Sequence, residues 1–287
     1  MKHGLIRVGI SGWTYAPWRG VFYPRGLAHH HELHFAADHF PAIEINGTFY
    51  ALQTPDSYQA WRAQVGADFV FALKGPRYIT HILRLKNVRT ALANFMASGP
   101  LALGPHLGPI LWQFPQNMRF DPQRFASFLD LLPRDTAEAA RLAIGHDRHV
   151  PKAWTAIDRN RKLRYAFEVR HDSFRVPAFV DLLRDHNAAL VCADSAAWPR
   201  LMDVTADFVY CRLHGATKTY ESDYDEAALS LWAQWAKTWA NGEEPADAAR
   251  IGAPARRKRR DVFIFFDNDR RVRAPANAQE LIRRLRA

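Results

Sequence analysis

The sequence predicts an α/β protein built as a single (β/α)8 TIM barrel spanning residues 1–287. Three observations lead there. Short runs rich in β-branched and aromatic residues, eight in all, recur along the chain, each bounded by turn signals. Amphipathic helical patterns fall between most of them. At 287 residues the chain has a length at which an α/β barrel commonly forms one domain. The alternative, a doubly wound open sheet, lacks its marks: no G-x-G-x-x-G follows the first run and no Walker loop occurs.

The first strand is predicted over 6–13 (IRVGISGW) and the second over 42–50 (AIEINGTFY). A helix follows over 54–65, where Thr54 is a ready N-cap and Pro55 takes the first helical position. The third strand covers 69–76 (FVFALKGP) and the fourth 108–115 (GPILWQFP). Asp121 and Pro122 repeat the cap-and-proline device for a helix over 121–132. The fifth strand, 164–171 (RYAFEVRH), precedes a helix over 176–187 with apolar residues at i, i+3 and i+4. Between the sixth strand (188–194) and the seventh (208–215), SAAWPRLMDVTAD leaves room only for a short helix or turn, so this connection is expected to be irregular. A helix over 225–240, the eighth strand over 261–269 (DVFIFFDND) and a last helix over 275–287 complete the series.

Composition narrows the class. A hydrophobic content of 48% is ordinary for a globular chain. Cys192 and Cys211 both lie in apolar runs and read as small buried hydrophobes rather than a disulfide or a metal pair. The start runs straight into a strand pattern without an apolar h-region, and no apolar run approaches the ~20 residues that cross a bilayer. The expectation is a cytoplasmic protein with no membrane partner. Of the formal net charge of +10, five charges are the single run RRKRR at 256–260, which follows an Ala/Pro/Gly-rich stretch. Residues 242–260 are therefore expected to form a mobile, solvated basic insertion; the competing reading of the run is a nucleic-acid patch.

A second pattern runs across the strands. Successive strand side chains point to opposite faces, so Glu44 and Asn46 share a face against Ile43 and Ile45, and Glu168 and Arg170 share one against Phe167 and Val169. Lys74, Gln113 and Asp194 end their strands, Arg212 and His214 share a face of the seventh, and Asp267 and Asn268 close the eighth. One polar residue at a strand end is merely about to enter a loop. A whole set implies a charged mouth at the C-terminal end of the barrel, where such folds keep their sites. Ionised groups there cost several kcal/mol each, in order of magnitude, unless paired.

The residues also carry a family resemblance. GISGWTYAPWRGVFYP (9–24), EINGTFYALQTPDSYQAW (44–61), FVFALKGPRYITH (69–81), LGPILWQFP (107–115), FEVRHDSF (167–174), VYCRLHGATKTY (209–220) and FFDNDRRVRAPANAQEL (265–281) resemble, in order, the blocks of the YecE-like proteins. These are a domain-of-unknown-function family of TIM barrels. Phe174 stands where the family often has Trp, and FFDND replaces a more usual paired asparagine. The resemblance implies the fold but no agreed reaction; its nearest analogy is to metal-dependent barrels of the endonuclease IV-like and sugar-isomerase-like kinds.

Three chemistries compete for these residues. Carboxylates and imidazoles (Glu44, Glu168, Asp194, Asp267, His171, His214) suit a divalent metal, but no local ligand spacing supports one and Lys74, Arg170 and Arg212 would oppose it. Those cations fit anion recognition better. The expected enzyme, a hydrolase or isomerase, then acts on a phosphorylated sugar or nucleotide-like ligand. Lys74, Arg170 and Arg212 hold the anion, Glu168, Asp194 and Glu44 move protons, and His214 and Asn46 orient the substrate. Gln113, His171, Tyr220, Asp267 and Asn268 complete the expected binding set. Trp13, Tyr15 and Tyr50 offer rings for stacking, whereas Phe22 reads as a hydrophobic plug. The alternatives are a non-catalytic nucleic-acid-binding protein and a metal-dependent endonuclease IV-like phosphoesterase. A structural ion-pair network is the bland counterpart of all three. The sequence is silent on oligomeric state.

Overall fold

A computed structural model describes residues 4–215 and 219–287; residues 216–218 of the block 209–220 lie outside the described residues. The strands are β1 (Ile6–Ser11), β2 (Ala42–Ile45), β3 (Val70–Lys74), β4 (Leu107–Gln113), β5 (Tyr165–Glu168), β6 (Ala189–Asp194), β7 (Phe208–Leu213) and β8 (Asp261–Phe266). They pair in parallel in chain order and close, with β8 against β1 through pairs such as Val8 and Ile264. Every predicted strand is present. The interleaved helices α1 (Glu32–His39), α2 (Gly47–Tyr50), α3 (Pro55–Arg62), α4 (Arg89–Ala97), α5 (Pro122–Leu131), α6 (Thr136–Ala143), α7 (Pro177–Asp185), α8 (Glu226–Ala240) and α9 (Arg273–Arg286) lie between or after them. No helix among the described residues is long and apolar enough to cross a membrane.

Local chemistry explains the helix starts. Thr54 accepts from Ser57 N with Pro55 behind it, and Asp121 accepts from Arg124 N with Pro122 behind it, as the sequence predicts. Asp225 does the same for Ala228 N at the start of α8. The 195–207 connection contains no helix, as its composition suggests.

Two layers hold the barrel. The outward strand residues pack with the helices in one large apolar cluster. The inward set is lopsided: Ala42, Ala72 and Ala166 on β2, β3 and β5 leave room that Phe208, Tyr210, Phe263 and Phe265 on β7 and β8 fill from the other side. Gly75 shows how tight the outer packing is, since a Cβ there would lie 2.3 Å from the Trp112 ring.

The structure departs from expectation at three places. The second strand stops at Ile45 instead of running to 50, because Thr48 folds the chain back: its Oγ1 donates to Lys74 O at 2.7 Å and accepts from Lys74 N at 3.2 Å. Phe49 and Tyr50 therefore ride on a helical turn. The fifth strand ends at Glu168, so Arg170 belongs to the following loop rather than to a strand face. The basic segment 242–260 is anchored more than its composition suggests. Asp203 accepts from Ile251 N and Gly252 N, Glu244 accepts from Ala255 N, and Arg260 is buried with Nη1 on Gly242 O at 3.1 Å and Nη2 on Arg256 O at 2.6 Å. Backbone groups that no helix or strand satisfies are satisfied here by side chains.

Candidate active site

Above the apolar layers, the last inward residue of several strands is polar. Ser11, Glu44, Glu168 and Arg212 meet on the barrel axis, joined by Asp267 just past β8, and all are buried. Arg212 is the hub. Its Nη2 donates to Glu44 Oε1 at 2.7 Å and Asp267 Oδ2 at 2.9 Å, and its Nη1 donates to Glu168 Oε2 at 2.7 Å. Nε donates to the Glu44 carboxylate at 3.1–3.2 Å. Tyr210 Oη adds a bond to Glu44 Oε2 at 2.6 Å, and Ser11 Oγ donates to the other oxygen. Arg170 reaches back from its loop to Glu168 Oε1 through Nε (2.8 Å) and Nη2 (2.6 Å), with its guanidinium 4.0 Å over the Trp198 ring. His214 Nδ1 lies 2.9 Å from Asp267 Oδ2.

This network revises two expected roles. Arg212 has every nitrogen engaged by protein oxygens or by His214, so it has no donor left for an anion. Glu168 is a poor proton carrier. Burial alone would raise its carboxyl, but the Arg170 and Arg212 guanidiniums reverse that and hold it well below the usual range. Asp267 is buried too, and Arg212, His214 and Lys74 together depress it. The carboxylates exist in this layer chiefly to neutralise a buried arginine.

One step outward lies a cavity of about 700 Å³ at the C-terminal mouth. Trp13, Tyr15, Asn46, Tyr50, Lys74, Tyr220 and Asp267 from the predicted set line it, together with Trp61 and Asp269. Trp13 meets Trp61 edge to face at 5.6 Å, and Tyr15 Oη donates to Ser11 O at 2.7 Å. Lys74 Nζ sits 4.5 Å over the Phe49 ring, with no ion pair among the described residues. Burial and then Arg212 bring its amine down to about 8, against the pull of Glu44, Asp267 and Glu168. Asp269 goes the other way: burial, then the charge of Asp267, push its carboxyl up to about 7. His81, edge to face with Phe49 at 5.1 Å, is pushed down to about 4 by burial and by Arg170, Arg77 and Lys74, which marks a positive corner.

Several predicted residues stand apart. Asp194 has the parity of Cys192, whose side chain packs in the outer layer, and it pairs with Arg200 Nη1 at 3.2 Å. Its expected proton-moving role lacks the necessary geometry, since alternation turns it away from the axis. Asn268 is fully buried and braces the turn after β8 by donating to Asn277 Oδ1 at 2.9 Å. His171 caps a short turn by accepting from Ser173 N at 3.0 Å. Gln113 points inward beside Glu168 in register, and Tyr220 meets the His214 ring edge-on at 5.4 Å. Tyr50 lines the cavity yet is 70% exposed, and Phe22 packs among Trp18, Phe35 and Phe40 as a plug. Asp269 was missed although it closes the FFDND run, because nothing local distinguishes it from a loop aspartate. Trp61 was hidden on a helix face.

A divalent metal does not suit this donor set. Among the described residues no group of three or more His, Cys, Asp and Glu is arranged to hold one. The best donors, Glu44, Glu168 and Asp267, already converge on the Arg212 guanidinium, which takes the place a cation would need.

A family model described as "Protein of unknown function DUF72" matches residues 7–287. The UPF0759 protein YecE of Escherichia coli (strain K12) is 32% identical over 133 residues, 45% of either chain. The UPF0759 protein YunF of Bacillus subtilis (strain 168) is 25% identical over 116 residues, 39% of this chain and 40% of YunF. The chain thus spans a little under half the length of the curated relatives it matches. Among solved structures, a DUF72 family protein from Thermotoga maritima superposes with a TM-score of 0.71 at 22% identity, covering 99% of this chain and 100% of that one. Another from Enterococcus faecalis gives 0.66 at 15% identity, covering 100% of both. Likenesses this distant speak to the fold.

Proposed function

The chain belongs to the DUF72 family, and on that premise we propose that its barrel mouth is the active site of an enzyme, a hydrolase or isomerase, acting by acid/base chemistry on a small anionic ligand of sugar-phosphate or nucleotide type. The observation that carries this reading is the pairing of Lys74 (about 8) and Asp269 (about 7) on one cavity. Ordinary lysine and aspartate sit near 10.4 and 3.9, so each group is moved toward neutrality, where a proton is most easily given and taken. Titratable groups displaced this far by burial together with a specific charged neighbour, on the wall of a cleft, cluster at functional sites.

Asp269 and Lys74 exchange protons with the ligand in this reading, and Tyr15 and Asn46 orient it. The rings of Trp13, Trp61, Tyr50 and Tyr220 supply flat walls for a sugar or base. An anionic group is received at the positive corner by Lys74, Arg77 and the Arg170 nitrogen that Glu168 leaves free. Glu44, Glu168 and Asp267 act indirectly, holding Arg212 rigid beneath the cavity floor.

Thermal shift and tryptophan fluorescence with sugar phosphates, matching neutral sugars, inorganic phosphate and sulfate provide the test. Phosphorylated sugars should raise the melting temperature, and Asp269→Asn should abolish turnover of whichever one reacts while retaining its binding. No response to any phosphorylated ligand would end the reading. The nucleic-acid alternative draws on both the basic run and the aromatic mouth. Residues 256–260 lead into the N-terminal end of β8, at the end of the barrel opposite the mouth, which weakens that combination. Binding of mixed oligonucleotides that falls steeply with log salt would favour it.

A further inference from the structure

We propose that Lys74 is a nucleophile that forms an imine with the aldehyde or ketone carbonyl of a ligand in the mouth cavity. The inference rests on the reading of the mouth as an active site and deepens it: the substrate class becomes an open-chain carbonyl compound, such as the open form of a sugar phosphate.

Geometry supports the assignment first. Lys74 ends β3 pointing into the mouth, and its backbone is held on both sides by Thr48 Oγ1, at 2.7 Å on the carbonyl and 3.2 Å on the N–H. The side chain is almost wholly buried, yet it contributes to the wall of the cavity. Three carboxylates lie near enough to act on the amine, but Glu44 and Asp267 are paired with Arg212, Glu168 is paired with Arg212 and Arg170, and none of the three forms an ion pair with Nζ. Those carboxylates and the Phe49 face favour the ammonium, while burial and the Arg212 charge oppose it. With the amine at about 8, roughly a quarter of it is neutral at pH 7.5, against about one part in a thousand for an ordinary lysine. A desolvated lysine beside a second cation is a recurrent way of preparing an amine nucleophile.

The steps balance with groups on the cavity wall. The Nζ lone pair forms the C–N bond as the carbonyl π pair moves to oxygen, which takes the proton of Asp269. The nitrogen then returns a proton to the Asp269 carboxylate, leaving a neutral carbinolamine. Asp269 protonates the hydroxyl a second time, water leaves, and the nitrogen lone pair closes the C=N bond. The products are an iminium, an Asp269 carboxylate and water, with nothing oxidised or reduced. The iminium acidifies the neighbouring C–H, which suits aldol cleavage or isomerisation.

The full-length chain is incubated at pH 7.5 with cyanoborohydride and pyruvate, glycolaldehyde or dihydroxyacetone phosphate, then digested and mapped by mass. Reduced adduct should accumulate on the Lys74 peptide at least tenfold faster than on those of exposed Lys86 and Lys152, and Lys74→Met should lose it. In the wild-type chain alone, acetylation of Lys74 by acetic anhydride should reach half its maximal rate near pH 8, which serves if the variant does not fold. Labelling spread evenly over exposed lysines, or half-maximal Lys74 acetylation near the ordinary lysine value, overturns the proposal. If no Lys74 adduct forms while sugar phosphates still raise the melting temperature, the imine fails and the acid/base reading stands; if both are absent, both fail.

Discussion

Replacing Arg212 with Met tests the network beneath the site, since Met keeps much of the apolar stem and removes the charge. Arg212 holds Glu44, Glu168 and Asp267 at 2.7, 2.7 and 2.9 Å, with its side chain and both glutamates fully buried. The loss is smaller than three separate broken pairs. Arg170 still bonds Glu168, Lys74 stands nearby, and the Tyr210 and Ser11 hydroxyls still donate to Glu44. Three carboxylates against two cations leave about one uncompensated buried charge. Stranding a charge of that kind costs about 3–5 kcal/mol, and at about 2–4 °C per kcal/mol for a domain near this size the melting temperature should fall by roughly 6–20 °C. The sign of the pH dependence follows from the same groups. In the wild type Glu168 and Asp267 are depressed, so their stabilisation is present above the unfolded carboxyl range of about 4 and is lost only as pH falls through the lower folded values. Between pH 7.5 and 5 these two leave the wild type flat. Without Arg212 the buried carboxyls rise above their unfolded values, so the variant is least stable at pH 7.5 and recovers towards pH 5. Urea unfolding of both chains at the two pH values is the assay, and adding Glu44→Gln should restore part of the loss. A variant within about 1 kcal/mol of wild type at pH 7.5, with no pH dependence in the difference, would refute the account of Arg212 as a neutralised hub.

Two further outcomes follow from other places in the fold. Asp269 binds its proton more tightly folded than unfolded, so its contribution is whole below about pH 4 and is lost as pH rises through about 7; Asp269→Asn should therefore gain stability relative to wild type between pH 5 and pH 8.5, and an equal difference at both pH values would count against its raised carboxyl. Arg260→Ala should cost about 1.5–3 kcal/mol per the usual worth of charge-assisted bonds, here those to Gly242 O and Arg256 O. Arg257→Ala, on a side chain 75% exposed, should change stability by less than about 0.5 kcal/mol; equal effects in urea titrations would mean that the segment 242–260 is the loose loop its composition suggests.

The sequence by itself determined the barrel. Period-2 runs, period-3.6 runs and caps such as Thr54 and Asp121 are local signals, set by residues a few positions apart, and they carry into the fold even where β2 and β5 end earlier than their runs. It also determined that Glu44, Glu168, Arg212 and Asp267 belong to one place, because strand-end position in a closed barrel is enough to bring them to the same mouth. What only the tertiary structure decided is how those charges divide. Whether an arginine awaits a ligand or is already spent on carboxylates depends on angstrom-scale contacts between strands far apart in the chain, as between Arg212 and Glu44, 168 positions away. The same holds for Asp194, turned outward by strand parity, and for Asp269, an ordinary loop aspartate until burial beside Asp267 raises its carboxyl. Pairing and desolvation are properties of assembled surroundings, and no spacing along the chain encodes them.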